Sequence, residues 1–145
     1  MTIVQATIND LDALTELFDL YRLFYQQPSD SEGARAFLHD RLSNEESIVF
    51  IAFDGNEAIG FVQLYPSFSS VSMKQTWVLN DLYVKETGRG KGFGEALIRR
   101  AIAFAEEAGA KGLLLETAKD NVTAQRLYEK IGFVQETNYF YFFSV

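Results

Sequence analysis

The chain has no cysteine, one histidine and two prolines among its 145 residues. The lack of cysteine excludes disulfide bonds, cysteine-ligated metals and a cysteine acyl-enzyme. With His39 as the single imidazole, a histidine-based triad or zinc site is disfavoured, and we expect no metal. His39 lies in a polar helical segment and is predicted to be a surface residue.

Long apolar runs and an excess of positive charge are also missing. No apolar stretch reaches the ~18 residues that a membrane span needs, and no signal-peptide pattern opens the chain. The formal net charge of −7 argues against nucleic acid as a partner. With 48% hydrophobic and 23% charged residues, the composition predicts a single soluble domain over residues 1–145, with a cytoplasmic location as the default.

The most informative stretch present is a glycine-rich, basic turn. An apolar strand predicted over Trp77–Val84 runs into it, and an amphipathic helix begins at its last glycines. Helix N-termini expose unpaired N–H groups that favour anions, and glycines let those amides approach closely. We therefore predict that a phosphate is bound by Arg89, Gly90, Lys91, Gly92, Phe93 and Gly94.

The spacing of this turn excludes two common phosphate-binding motifs. A P-loop needs Lys-Ser/Thr directly after its last glycine, but Phe93 follows Gly92. A dinucleotide fingerprint needs a glycine at the sixth position, which is Phe93 or Glu95 depending on the starting glycine. The pattern Arg89-x-x-Gly92-x-Gly94 instead resembles the pyrophosphate-binding signature of the GNAT N-acetyltransferase superfamily, which uses acetyl-CoA.

A second block, residues 121–133, resembles another conserved part of the same family. It has an Asn, a short helix with a Leu-Tyr pair, and a terminal Gly-Phe. The resemblance places Asn121 in the cofactor site and makes Tyr128 the general acid that protonates the departing thiolate. Two simpler interpretations stay open: Asn121 as the helix N-cap, and Tyr128 as a core aromatic with its hydroxyl at the rim.

The remaining pattern predicts the element order β-α-α-β-β-β-α-β-α-β and an α/β (α+β) fold, a mixed, mostly antiparallel sheet flanked by helices. The GNAT resemblance implies the same architecture. A crossover makes the strand at Trp77–Val84 parallel to one at Lys111–Thr117. A Ser-x-x-Glu capping box at residues 29–32 opens the second helix. We also expect a loop at Pro66–Lys74 and a terminal strand or hairpin over Gln135–Val145.

The resemblance implies direct acetyl transfer from acetyl-CoA to an amine. It places backbone partners for the cofactor's pantetheine arm at Leu82, Tyr83 and Val84, where the strand opens away from its neighbour at a bulge. An alkyl amine with a pKa near 10.4 must lose a proton to attack, so a base is expected. Asp81, a carboxylate in an apolar strand, is the candidate, directly or through water, and Glu116 is the second. Alternatively, Asp81 marks the bulge or pairs with an arginine.

The acceptor is predicted to be a primary amine of a small molecule, such as a polyamine or an amino acid. Segments 65–74 and 77–84 resemble the branch that contains small-amine, polyamine and yeast-type histone/polyamine acetyltransferases. Three other functions stay open: a lysine acetyltransferase acting on proteins or peptides, a non-catalytic CoA-binding sensory domain, and a nucleotide-binding module.

Five aromatic residues follow one another at Tyr139–Phe143. A strand alternates its faces, so only about half of them can enter one core. The others would form an apolar patch on a 16.4 kDa monomer. We therefore predict a homodimer that covers them, unless a helix lies over the second face.

Overall fold

The computed structural model describes residues 1–145. Five strands form one sheet in the order β1-β2-β3-β4-β5, antiparallel throughout except for the parallel β4–β5 pair. The predicted mixed, mostly antiparallel sheet flanked by helices is confirmed. No helix is long and apolar enough to cross a membrane. The elements are β1 (Thr2–Gln5), α1 (Leu11–Phe24), α2 (Ser31–Ser43), β2 (Ile48–Asp54), β3 (Glu57–Ser69), β4 (Lys74–Val84), α3 (Phe93–Glu107), β5 (Leu113–Leu114) and α4 (Val122–Ile131).

The sheet separates two hydrophobic cores. Successive side chains of a strand point to opposite faces, so Phe50 of β2 packs towards α3 while Ile51 packs towards α1 and α2. Leu14 and Leu17 of α1 and Leu97 of α3 are fully buried on their respective sides. Each such side chain stabilises the fold by about 1.5–3 kcal/mol. Burial on both faces fixes the strand register and with it the positions of the polar side chains on β3 and β4.

The cap of α2 differs from the prediction. Asp30, and not Ser29, is the N-cap, and its Oδ1 accepts a hydrogen bond from the Gly33 N–H at 2.9 Å. The Ser29 hydroxyl instead donates to Asp19 Oδ2 of α1 at 2.7 Å, and the Asp30 N–H donates to Asp19 Oδ1 at 2.8 Å. The predicted Ser-x-x-Glu capping box is therefore wrong, because a tertiary contact with Asp19 takes the serine hydroxyl.

The strands around the predicted loop are longer than expected, and β5 is shorter. β3 continues to Ser69 and β4 begins at Lys74, so only residues 70–73 form the turn between them. β5 is confined to Leu113–Leu114, within the predicted range 111–117. Its register on β4 pairs Trp77 with Leu113 and Val78 with Leu114. The predicted parallel crossover is present, but its ladder is very short.

The terminal strand predicted over Gln135–Val145 does not form. Those residues have no regular secondary structure, and Tyr139–Phe143 are 73–89% exposed. The element order therefore agrees with the prediction from β1 to α4 and departs from it only at the end. A strand needs a hydrogen-bonded neighbour, and within one chain this segment has none.

Candidate active site

The turn between β4 and α3 carries a run of unpaired backbone donors. None of the N–H groups of residues 90–95 donates to a protein acceptor, and the first helical bond runs from Ala96 N–H to Gly92 O at 3.0 Å. Gly90 and Gly92 have φ of 77° and 85°, values that side chains disfavour. Open space surrounds the position of a Cβ at both glycines. Consecutive free amides at a helix N-terminus form a concave anion site.

The Arg89 side chain is held in place by contacts with its neighbours. Its Nε donates to Val84 O at 3.1 Å, and its guanidinium lies 5.6 Å from the centroid of the Phe24 ring and 5.8 Å from that of Tyr83. These contacts tie the turn to α1 and place a fixed positive charge beside the free amides. Lys91, by contrast, is exposed. The basic character of the turn thus comes from one anchored and one solvated cation.

β4 and β5 part after only two residue pairs. Beyond Val78 and Leu114 the ladder ends, so β4 has an open edge from Leu79 to Val84. A cavity of about 230 Å³ lies at this point. It is lined by Val78, Leu79, Asn80, Leu114, Leu115 and Glu116. The split between the two strands is therefore an opening between the last two strands of the sheet.

Two of the three predicted backbone partners face this split. The Lys85 N–H donates to Ile59 O of the β2–β3 side at 2.8 Å. Main-chain donors alternate along an antiparallel strand, so the Tyr83 N–H also points to β3, whereas those of Leu82 and Val84 point into the split. The ring of Tyr83 packs with α1, and the side chains of Leu82 and Val84 pack with α3. Any role of Tyr83 would come from its ring.

A β-bulge lies immediately before these residues. Gln63 pairs with Asp81 and Leu64 pairs with Leu79, which leaves Asn80 as the extra residue of β4. The predicted bulge is present, and Asp81 stands next to it. A bulge re-aims the following side chains, which is why strand parity alone cannot assign their faces from the sequence.

The Asp81 carboxylate is buried without a cation. It is 5% exposed, accepts from Gln63 Nε2 at 2.8 Å and from Asn80 Nδ2 at 3.1 Å, and forms no salt bridge. The alternative that it pairs with an arginine is therefore wrong. Burial raises the pKa of Asp81, and hydrogen bonds from Gln63, Tyr21 and Asn80 oppose that rise. The group is a carboxylate held in a desolvated site.

Two phenols flank this carboxylate. The pKa of the Tyr21 hydroxyl is raised, first by burial and then by the charge of Asp81. Burial and the same charge raise the pKa of Tyr65 to about 12. The Tyr21 ring also packs edge-on against Phe61 at 5.7 Å and Tyr83 at 6.2 Å between centroids. Both hydroxyls thus stay protonated beside Asp81 across the ordinary pH range.

The sequence did not identify Gln63 or Tyr65 as site residues. Both lie on β3, and their proximity to Asp81 depends on the register across the bulge. The one signal in the sequence is a glutamine within an apolar run, and the structure shows that Gln63 is fully buried.

Tyr128 and Asn121 occupy opposite parts of α4. Asn121 is the N-cap, and its Oδ1 accepts from the Ala124 N–H at 3.3 Å. Tyr128 is half-buried, with its ring 5.9 Å from that of Phe133. Burial raises the pKa of Tyr128, and the phenol of Tyr25 on α1 raises it further. Tyr128 packs against the core on the α3 side of the sheet, whereas α1, which Tyr25 follows, packs in the other core.

The second candidate base lies at the edge of the site. Glu116 is exposed and lines the cavity between β4 and β5. His39 is also exposed, and its Nδ1 lies 3.5 Å from Ser43 Oγ on the same helix. No group of three or more His, Asp or Glu side chains is placed to hold a metal ion. Asp81 is therefore the desolvated carboxylate of the site, and Glu116 a solvated one at its edge.

Known proteins are similar to this chain in sequence and in fold. Residues 14–133 match the family described as the acetyltransferase (GNAT) family. YhfO of Bacillus subtilis (strain 168), an uncharacterized N-acetyltransferase, is 47% identical over 142 residues, which span 98% of this chain and 95% of YhfO. A probable acetyltransferase of Haemophilus influenzae is 36% identical over 121 residues, 83% of each chain. A crystal structure of a probable acetyltransferase superposes with a TM-score of 0.93 at 43% identity, covering 100% of this chain and 99% of the other.

Proposed function

The chain belongs to the GNAT family of acetyltransferases, and we propose that it moves the acetyl group of acetyl-CoA directly to the primary amine of a small molecule. The observation that carries the choice of acceptor is the buried, cation-free carboxylate of Asp81 between Tyr21 and Tyr65. Leaving such a charge unpaired is costly, and a cationic ligand would compensate it. A polyamine or an amino acid presents such a cation.

The residues present fit the cofactor. The free amides of residues 90–95 and the fixed charge of Arg89 suit a pyrophosphate. The N–H groups of Leu82 and Val84, which face the split, suit the amide groups of a pantetheine arm. Asn121 caps α4 through its Oδ1, which leaves its Nδ2 available to the same site. Bound acetyl-CoA supplies the activated acetyl thioester.

Asp81 is assigned the role of base, directly or through water. The carboxylate attracts the ammonium form of the acceptor, and the ring of Tyr21 offers an aromatic face to the same cation. The raised pKa of Asp81 makes it a stronger base than an exposed aspartate, because catalysis improves as the pKa of a base approaches the working pH. Its proton acceptance would leave the amine neutral and able to attack.

Tyr128 is assigned the role of general acid. A tyrosine hydroxyl, with an ordinary pKa of about 10, keeps its proton at neutral pH. Burial raises the pKa of Tyr128 above that value. A thiol has a pKa near 8.5, so a departing thiolate gains from a proton delivered at that moment. Tyr25, whose phenol also raises the pKa of Tyr128, is the residue that follows α1.

A turnover screen tests the proposal. Release of free CoA can be followed with a thiol-reactive dye, and the protein gives no background because it has no cysteine. Polyamines, amino acids, aminoglycosides and lysine-containing peptides would be compared as acceptors. We expect turnover with at least one free small amine, and a kcat about 10²–10⁴-fold lower in Asp81→Asn.

Other results of these assays would indicate one of the three alternative functions. Turnover with lysine peptides alone would overturn the small-molecule assignment. Calorimetric binding of CoA with no turnover of any amine would indicate a non-catalytic CoA-binding sensor. Preference for ATP or NAD over CoA in a thermal-shift panel would indicate a nucleotide-binding module and contradict the cofactor assignment itself.

A further inference from the structure

The last turn of α2 brings a guanidinium to the face of the sheet that carries Asp81. Leu38 and Leu42 of α2 pack in the same core as Phe61 of β3, and Arg41 lies beside them on the helix. The Arg41 side chain is only 26% exposed, and its guanidinium carbon lies 4.6 Å from the centroid of the Phe37 ring. A cation over an aromatic face is held in position, so the charge of Arg41 is a fixed part of this surface.

A row of aromatic rings connects Arg41 with the Asp81 carboxylate. The Phe37 ring under Arg41 stacks on Phe18 of α1, with 5.8 Å between the ring centroids and 14° between the planes. The Phe18 ring lies 6.1 Å from that of Tyr21, whose hydroxyl flanks Asp81. The two opposite charges therefore lie at the two ends of one aromatic row, on one side of the sheet.

Tyr65 is influenced by both charges. It lies two residues after Gln63 on β3, so its side chain points to the same face of the sheet. Burial raises the pKa of Tyr65, the charge of Asp81 raises it further, and the charge of Arg41 lowers it. The Tyr65 hydroxyl is thus close enough to a carboxylate and to a guanidinium for each to act on its proton.

A buried hydroxyl without a partner lies on the same face. Ser47 is 6% exposed, and its Oγ has no hydrogen-bond partner. Ser47 directly precedes β2, where Ile48 pairs with Leu64. Continued by one residue, that register sets Ser47 opposite Tyr65. An unsatisfied buried hydroxyl costs stability, and an acceptor oxygen from a ligand would satisfy it.

Arg41 has donors left for a ligand. Its Nε donates to Glu46 Oε1 at 3.1 Å, and its Nη2 lies 3.1 Å from the same oxygen. A guanidinium carries five N–H groups, and Nη1 of Arg41 makes no hydrogen bond. Glu46 is half-exposed, and ion pairs of this kind contribute little to stability. An incoming carboxylate can therefore bind to Arg41 beside Glu46 or in its place.

We infer that the acceptor is an amino acid, with its amine at Asp81 and its carboxylate bound by Arg41 and the hydroxyls of Tyr65 and Ser47. The inference rests on the proposed function, transfer to a small amine, and names the class of amine. An amino acid carries the two charges that Asp81 and Arg41 complement. A polyamine would bring a second cation towards Arg41, where like charges repel. Arg41 is therefore the residue that determines specificity.

Paired acceptors that differ only by the carboxylate test the inference. Ornithine is compared with putrescine, lysine with cadaverine, and leucine with isoamylamine, using release of CoA as the assay. In the pairs that turn over, kcat/KM should be about 10–100-fold higher for the amino acid, the range expected for hydrogen bonds to a charged group.

Variants of Arg41 separate binding of the carboxylate from a structural role. Arg41→Met keeps a long apolar side chain over Phe37 and removes the charge. It should lower kcat/KM for the amino acid about 10–100-fold, chiefly through KM, and leave the amine without a carboxylate within about twofold. Each acceptor is compared with itself, so differences in amine pKa cancel. Arg41→Lys should recover part of the loss.

The matched control is Arg35→Met, which removes the same charge from the same helix, where Arg35 pairs with Asp12 of α1. It should leave the preference for amino acids unchanged. Equal losses for both members of a pair in Arg41→Met would show a structural role and overturn the inference. Turnover of putrescine, cadaverine or isoamylamine in preference to the amino acids would overturn it and leave the proposed function intact. No turnover of any free amine would contradict the proposed function and the inference together.

Discussion

Gln63 and Asp81 are opposite each other on β3 and β4, and the Gln63 side-chain amide donates to Asp81 Oδ2 at 2.8 Å. Gln63 is fully buried and Asp81 nearly so. The oxygen of the same side-chain amide, Gln63 Oε1, has no hydrogen-bond partner. The pair thus keeps a carboxylate in the core and leaves the Gln63 Oε1 acceptor without a donor. Selection for stability alone would not favour this arrangement.

We predict that Asp81→Asn stabilises the protein while it impairs catalysis. The pKa of Asp81 is raised in the folded state, so its contribution to stability is lost as pH rises through the folded pKa. The free energy of unfolding of the variant should therefore exceed that of the wild type at pH 7. The two should converge below the unfolded pKa of about 3.9. The introduced amide can donate to Gln63 Oε1 after a flip of the Gln63 side chain.

Urea denaturation at pH 7 and at acid pH measures this difference. Steady-state kinetics of the same variant should show kcat lower by about 10²–10⁴-fold, the usual contribution of a general base. Equal or reduced stability at pH 7 would show that Asp81 is held by favourable contacts. Unchanged kcat would remove it from the chemistry.

Tyr128→Phe retains the ring that packs against Phe133 and removes only the hydroxyl. If that hydroxyl protonates the departing thiolate, kcat should fall by about 10²–10⁴-fold with little change in the affinity for acetyl-CoA. Single-turnover kinetics separates the chemical step from product release. A fall of less than about threefold would indicate a core aromatic. Tyr25→Phe, which leaves Tyr128 intact, is the matched comparison on the facing helix.

Substitution of Gly94 tests whether the cofactor binds at the glycine turn. A Cβ at Gly94 would lie 3.9 Å from Val84 Cγ2 and 4.0 Å from Leu127 Cδ2, which is ordinary contact distance. The protein alone therefore tolerates a small side chain, and any loss of CoA affinity reflects the ligand. Gly94→Ala should weaken CoA binding by about tenfold, or about 1.4 kcal/mol, and Gly94→Val by more. Calorimetry on folded variants with unchanged affinity would place the cofactor elsewhere.

The hydrogen bonds that Asp19 of α1 accepts at the start of α2 should stabilise the protein with a pH dependence opposite to that of Asp81. Hydrogen bonds from Ser29 and then from the Asp30 N–H lower the pKa of Asp19. Its stabilisation is present above the unfolded pKa and is lost as pH falls through the folded value. Ser29→Ala should cost about 1 kcal/mol at pH 7, with the loss shrinking in acid. Thermal unfolding across pH measures it, and a loss that grows in acid would contradict the assignment.

The sequence predicts those features that depend on local spacing. The glycine turn, the start of α3 and the Asn121 cap all follow from residues within one turn of each other, and the structure has them. The second helix shows the limit of that reasoning. Ser29 has the right spacing to Glu32 for a capping box, but Asp19, ten residues earlier, takes its hydroxyl. Local propensity yields to a tertiary hydrogen bond.

Features that depend on contacts between distant segments could not be predicted. Nothing in the sequence states that Gln63 faces Asp81, because their pairing follows from a register shift at Asn80. The aromatic sequence Tyr139–Phe143 has strand propensity, but propensity creates no strand without a neighbouring edge to pair with. In each case the sequence does not show which residue or strand edge the segment pairs with.

The short β4–β5 pairing also determines which part of the molecule unfolds first. The main-chain bonds of that region join residues 75–78 to residues 111–114, and no other ladder connects β1–β4 to the chain after α3. Local unfolding proceeds where backbone bonds are few and exposed. Amide hydrogens of residues 111–131 should therefore exchange through partial opening, while those of β2 and β3 exchange only with global unfolding. The segment that carries Tyr128 should thus open as a separate cooperative unit, and a ligand bound across the split would hold it to the rest of the sheet.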